Sequence, residues 1–203
     1  MKTPASPYSA LYKYTKSLSL ALGYRDRLTG LHSERVQGLA EALGRRCGMS
    51  SEALGILRIG AMFHDIGKIG VPDHILLKTS RFDEEEWGKM RQHPEIGARI
   101  MMATGLEGAR EAAQVIRQHH EHYDGGGYPS GLAGAEITLA SRIISIADSY
   151  DAMASTRSYH RGREHRQIMA VLEEETGRKH DPDLMEIFSG LIEDSPLRAA
   201  APA

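Results

Sequence analysis

The sequence is short of several things, and each shortage narrows the reading. It has one cysteine, Cys47, so no disulfide can form within the chain, which fits a reducing compartment. Lying among charged neighbours, Cys47 reads as a small packing residue. No apolar run approaches the roughly 20 residues of a membrane span. The segment SLSLALG is too short for a signal-peptide core and has no small-residue cleavage site after it. Cytoplasm is therefore the expected compartment. There is no excess of positive charge: the net charge is −2, so no basic field points to DNA or RNA. Strand-rich segments and internal repeats are also missing. What remains is a chain of 203 residues, 41% hydrophobic and 26% charged, sized for one globular domain with a substantial core.

The periodicity is helical nearly throughout, and the fold class expected is all-α. A first helix is expected over 8–22. SERVQGLAEALGRRCG follows, with Val36, Leu39, Ala40 and Leu43 on one face and Gly48 placed to end it. SSEALGILRIGAMFHDIG and ITLASRIISIADSYDAMAS are apolar all round and read as central buried helices. Gly67 and Gly70 break the first of these. Asp83 and Glu86 form a capping-box signature, with Phe82 and Trp87 as its hydrophobic staple. His93 is expected at a cap with Pro94 at the first helical position. A helix over 107–121 would deliver His119 and His120 at its end. DGGGYPSGLAG is a glycine-rich loop, and two amphipathic helices, near 163–176 and 182–193, close the pattern.

Ten histidines is high for this length. His64 and Asp65 are adjacent at the end of a buried helix, a pair that offers one nitrogen and up to two oxygens. A carboxylate can bridge two cations, so such a pair suits a two-metal hydrolytic site. Candidate partners are His32, His93, His119, His120 and Asp148. A buried carboxylate such as Asp148 is costly unless paired or metal-bound. Imidazoles mixed with carboxylates favour iron, manganese or zinc over magnesium and calcium. His74, His122, His165 and His180 read as surface residues.

The segments YRDRLTGLHSERV, FHDIGKIGVPDHILLK, EEEWGKMRQHPEIG, HHEHYDGGGYPSGL and ITLASRIISIADSYDAMASTRSYH resemble, in order, an HD-GYP domain. This is a branch of the HD phosphohydrolase superfamily that degrades cyclic di-GMP. The resemblance runs from about Tyr24 to Pro182, with HD as His64–Asp65 and GYP as Gly127–Tyr128–Pro129. It implies a helical bundle of the HD-domain type with a Gly-rich GYP loop. Residues 1–23 then read as a helical lead-in, 24–194 as the catalytic domain and 195–203 as a frayed tail. The lead-in helix is expected to pack on the core, with pairing against its copy in a homodimer as the alternative. No sensor domain fits before the match, so the chain reads as a standalone enzyme or an excised domain.

The resemblance also implies site roles. Asp65 would bridge two metals, iron or manganese, one completed by His32, His64 and Asp148 and the other by His93, His119 and His120. Some members hold a third metal through a glutamate; Leu28 stands there, so a binuclear site is expected. Lys68 would sit by the scissile phosphate and offset developing charge, held by Asp151. Arg157 would clamp a substrate phosphate, with His160 and Arg161 nearby, and Tyr128 would line the substrate pocket. Gly125, Gly126 and Gly127 would let the backbone approach a ligand. The GYP loop also serves such proteins as a docking surface for signalling partners. The implied reaction is hydrolysis of cyclic di-GMP to pGpG, and a second turnover could give GMP. The competing readings are another cyclic dinucleotide or nucleotide as substrate, or an idle partner-docking module.

Overall fold

The computed structural model describes residues 8–25, 27–155 and 162–199, with the side chains of 27–30 left out of the description. Arg157, His160 and Arg161 lie outside the described residues. Leu28 lies on a described backbone, with its side chain outside the description.

Among the described residues the chain is all-α, as expected, with no strand and only two isolated bridges. Its helices are α1 (Ser9–Arg25), α2 (Arg27–Arg46), α3 (Ser51–Phe63), α4 (Asp73–Leu76), α5 (Glu84–Met90), α6 (His93–Ala103), α7 (Ala109–Gln118), α8 (Leu139–Ala154), α9 (His165–Glu175) and α10 (Pro182–Ile192). The capping box of α5 and the stop at Gly48 operate as read, and Ser50 adds a cap that the sequence reading did not name. Ser50 caps α3 by accepting from the Ala53 amide at 3.1 Å. Asp83 and Glu86 form the reciprocal capping box of α5, and the Phe82 and Trp87 rings meet edge to face with centroids 5.4 Å apart. Gly48 ends α2 in the left-handed region, with φ 71°. One boundary differs: Gln92 is the cap of α6, so His93 is already helical and Pro94 stands second.

The core is built around α3 and α8. Leu57, Ile59, Ala61 and Phe63 of α3 and Ile143, Ile144, Ile146 and Ala147 of α8 are buried, and the expected stripe of α2 closes over them. Gly60 lets α3 approach α7, since a Cβ there would lie 2.4 Å from Val115 Cγ1. α1 packs back on this core through Leu11 and Leu22. Tyr14, Leu20 and Tyr24 stay exposed on its outer side. A smaller apolar cluster of Val71, Ile75 and Met90 supports the segment between α3 and α6.

Two expectations fail here. His165 and His180, expected at the surface, are buried. His165 fits because both ring nitrogens have partners, the Tyr150 hydroxyl at 2.9 Å and Glu193 at 3.0 Å. His180 lies 3.3 Å from Glu175 in the turn between α9 and α10. The tail, expected to fray from residue 195, is packed as far as Ala199, whose amide donates to the Tyr150 hydroxyl at 2.8 Å.

Candidate metal centre

α3 ends at Phe63, and the chain tightens at once into a 3-10 turn over Ile66–Gly70. Gly67 makes this turn compatible with the start of α6: a Cβ there would lie 1.9 Å from the His93 carbonyl oxygen. Backbone contact at that point brings His93 against the His64–Asp65 pair. His119 caps α7, with His120 next to it.

Three imidazoles are oriented in the same way. The Nδ1–H of His64 donates to the Ala61 carbonyl at 2.8 Å, that of His93 to Met90 at 2.8 Å, and that of His119 to Ile116 at 2.6 Å. Each then leaves Nε2 as a bare lone pair. The His93 and His119 Nε2 atoms lie 3.4 Å apart. Two lone pairs at that separation repel, and a shared cation relieves this. His64 Nε2 is buried with no hydrogen-bond partner. Buried polar atoms of this kind call for a partner.

The seven candidate ligands converge in two groups. His93, His119 and His120 form one, and His32, His64 and Asp148 the other, with ligand atoms within 4.8 Å of one another in each. Asp65 stands between them, one carboxylate oxygen 3.5 Å from His64 Nε2 and the other 3.5 Å from His93 Nε2. Asp148 lies 3.0 Å from His32 Nε2 and 3.8 Å from His64 Nε2. Nitrogen and carboxylate donors in two triads, each with two buried members and one half-buried one, and one carboxylate between them fit two transition-metal cations.

The electrostatics agree. Burial depresses His93 to about 4 and His119 to about 3, and pushes His120 down as well, keeping all three neutral as ligands must be. Burial alone would raise Asp65. Lys68, His64 and His93 outweigh it and hold the carboxyl well below its ordinary value. Burial also opposes charge on His32, but hydrogen bonds to Asp148 and Asp151 win and raise it to about 9.

Lys68 donates to Asp65 at 2.7 Å. The expectation that Asp151 holds it is not met. Asp151 is occupied instead by His32 Nδ1 at 2.7 Å and by the Arg35 guanidinium at 2.6 and 2.9 Å. A buried carboxylate takes the bidentate fork and the imidazole because together they satisfy both oxygens. Asp151 thus orients the His32 ring from behind, in the position carboxylates take behind metal-bound histidines.

Tyr128 stacks on His120, with ring centroids 4.9 Å apart. Its loop is clamped from within by Glu121, which accepts from the Ser130 amide at 2.7 Å and the Leu132 amide at 3.1 Å. Of the three loop glycines only Gly125 takes positive φ. Gly127 is needed for close approach to the protein itself, since a Cβ there would lie 2.2 Å from the His122 amide nitrogen. Asp65, Lys68, His120, Tyr128 and Asp148 open on a cleft of about 1320 Å³, larger than the usual small-ligand pocket. Sequence reasoning missed Arg35 and Glu121. Arg35 follows His32 by three residues, on the same helical face, which is a usable signal. Glu121 has none, because its partners are backbone amides.

Comparison with known proteins agrees with this geometry. The family model for the HD domain matches residues 16–184. A cyclic di-GMP phosphodiesterase of Thermotoga maritima is 36% identical over 178 residues, covering 88% of this chain and 48% of that protein. The cyclic di-GMP phosphodiesterase response regulator RpfG of Xanthomonas campestris pv. campestris is 37% identical over 165 residues, covering 81% and 44%. This chain therefore spans about half the length of these relatives. A solved cyclic GMP-AMP-specific phosphodiesterase of Vibrio cholerae superposes with a TM-score of 0.67 at 18% identity, covering 89% of this chain and 49% of that one, a likeness of fold. With the family model covering most of its length and the HD pair at the centre of the site, the chain belongs to the HD domain family.

Proposed function

We propose that this chain is a metal-dependent phosphodiesterase domain that hydrolyses cyclic di-GMP to pGpG, from which a second turnover could give GMP. The observation that carries the reading is Asp65, whose two oxygens face the two ligand groups at 3.5 Å each. The names of the relatives supply the substrate class. His32, His64 and Asp148 would hold one divalent metal and His93, His119 and His120 the other, with Asp65 bridging. The mixed nitrogen and oxygen donors favour iron, manganese or zinc, and the resemblance to HD-GYP domains narrows this to iron or manganese. Such metals, when bound, lower the pKa of water toward neutrality and polarise a phosphoryl oxygen.

The protein's own groups do the rest. Lys68, which donates to Asp65 at 2.7 Å, would offset charge that develops on the phosphoryl oxygens. Tyr128 walls the substrate side of His120. Asp151 fixes the ring of His32. Arg157 retains its proposed role as a phosphate clamp. The remaining proposals are a cytoplasmic setting, in keeping with a free Cys47, a signalling partner on the GYP loop, and a homodimer through the outer side of α1.

The test is turnover of cyclic di-GMP by protein loaded anaerobically with iron(II) or manganese(II), with Asp65→Ala alongside and pGpG separated from GMP by chromatography. Cleavage that needs metal and disappears in Asp65→Ala is expected. Lack of cleavage by protein holding two metals per chain would refute cyclic di-GMP as the substrate.

A further inference from the structure

The cleft has a second wall that the metal chemistry does not use. Trp87, on α5, lines it with Phe82, yet Trp87 is 45% exposed after packing against that ring. A capping staple needs only one side of an indole. Above it lies Arg91, its guanidinium carbon 5.5 Å from the Trp87 ring centroid and 5.4 Å from that of Tyr128. The guanidinium has no ion-pair or hydrogen-bond partner among the described residues. The neighbouring cations are committed differently, Lys89 to Glu85 at 2.6 Å and Lys78 to Glu86 at 2.5 Å. An uncommitted fork held between two aromatic rings that both line the cleft is poised for a flat ligand with acceptors on its edge.

We infer that Trp87 is the stacking platform for one guanine of the substrate, and that Arg91 reads that guanine's O6 and N7 edge. The inference rests on the cyclic dinucleotide reading above and extends it to base selection. A purine has an apolar face for the indole. Guanine presents two adjacent acceptors on the edge where adenine presents an acceptor and a donor. Guanidinium donors therefore favour guanine over adenine. The ring of Tyr128 supports Arg91 from the other side, which keeps the fork from swinging into solvent.

The test uses the fact that Trp87 is the one tryptophan of the chain. Its fluorescence is followed while cyclic di-GMP or cyclic di-AMP is added to full-length Asp65→Asn protein, and kinetics are run on metal-loaded wild type, Trp87→Ala, Trp87→Phe and Arg91→Gln. Cyclic di-GMP should quench the emission. Trp87→Ala should raise KM on the order of tenfold with kcat within about twofold, and Trp87→Phe should recover most of that loss. Arg91→Gln should reduce the preference for cyclic di-GMP over cyclic di-AMP by about tenfold, a ratio that a purely structural role would not move. If Trp87→Ala fails to fold, Trp87→Phe, Arg91→Gln and the fluorescence still decide. Cleavage without quenching, with KM and base preference unmoved in the variants, overturns the platform and leaves the phosphodiesterase standing. Quenching by cyclic di-GMP without cleavage does the reverse.

Discussion

Gly67→Ala is the smallest change expected to dismantle the site without touching a ligand. The new Cβ would fall 1.9 Å from the His93 carbonyl oxygen and 2.5 Å from the Gly97 amide nitrogen. Both are backbone atoms of α6, so no rotamer relieves the clash. Reaching even a 3.0 Å contact requires the 3-10 turn and α6 to separate by more than about 1 Å. Overpacking of this kind costs about 2 kcal/mol, or roughly 4–8 °C in Tm for a chain of this size. The larger effect is on chemistry, because the same movement carries His93 away from Asp65 and His119. A misplacement of about 1 Å is worth on the order of a hundredfold in rate. The assay is metal content per chain, kcat/KM for cyclic di-GMP and thermal melting, with Gly88→Ala as the control. Gly88 sits in α5 with nothing within 4 Å of a built Cβ. That substitution should leave activity unchanged and stabilise by up to about 1 kcal/mol. Gly67→Ala protein with two metals bound and kcat/KM within a factor of about two of wild type would refute the argument.

Arg35→Met removes the fork from Asp151, and Asp151→Asn weakens the carboxylate behind His32. Each should lower metal affinity of the His32 group by about 10–100-fold in a chelator competition, with the His93 group unaffected. In metal-free protein His32, raised to about 9, carries a proton at pH 7.5, whereas His93 and His119, at about 4 and 3, do not. Metal entering the His32 group should therefore release a proton there, and its affinity should climb as pH rises toward 9. Calorimetry in buffers of different ionisation enthalpy reads this, and equal proton release from both groups would contradict it. Glu121→Ala leaves the Ser130 and Leu132 amides without their acceptor, at about 1–3 kcal/mol each if they stay dry. Faster amide exchange across 125–133 and a higher KM are expected, with metal content unchanged. Glu41 is held down at about 2 by hydrogen bonds from Arg58 and then Arg45, which outweigh burial. Its folded pKa lies below the unfolded 4.5, so its contribution is present above 4.5 and lost as pH falls toward 2. Urea unfolding of Glu41→Gln should show a shallower acid dependence across that window than wild type.

The sequence made the helices legible because their signals are local. The capping box at Asp83 and Glu86 and the stripe from Val36 to Leu43 involve neighbours within one or two turns. The two clusters bring together residues that the sequence singled out, and their role as ligands belongs to the proposed function. Tertiary partners were another matter. Asp151 chose Arg35, 116 residues away, over Lys68, and the one trace of that choice in the sequence is the three-residue spacing of Arg35 from His32. His165 and His180 looked like surface residues because a polar residue at a helix end is usually solvated. Here the return of the chain past α10 covers the first, and the α9–α10 turn encloses the second.

The three imidazoles that donate to carbonyls three residues back are set by main-chain atoms, whereas His32 is set by a side chain. The backbone-set rings and His32 therefore differ in how they can evolve, even though His64 shares a group with His32. The backbone-set rings are hard-wired, since a carbonyl cannot be exchanged by substitution and its strength as an acceptor barely varies. His32 is tunable: Asp151 can become Asn, Glu or Ser, and Arg35 can draw charge from it or not, each altering the basicity of His32 without replacing it. Divergence in metal preference within one fold would then be written at positions 35 and 151, before any of the seven candidate ligands is altered.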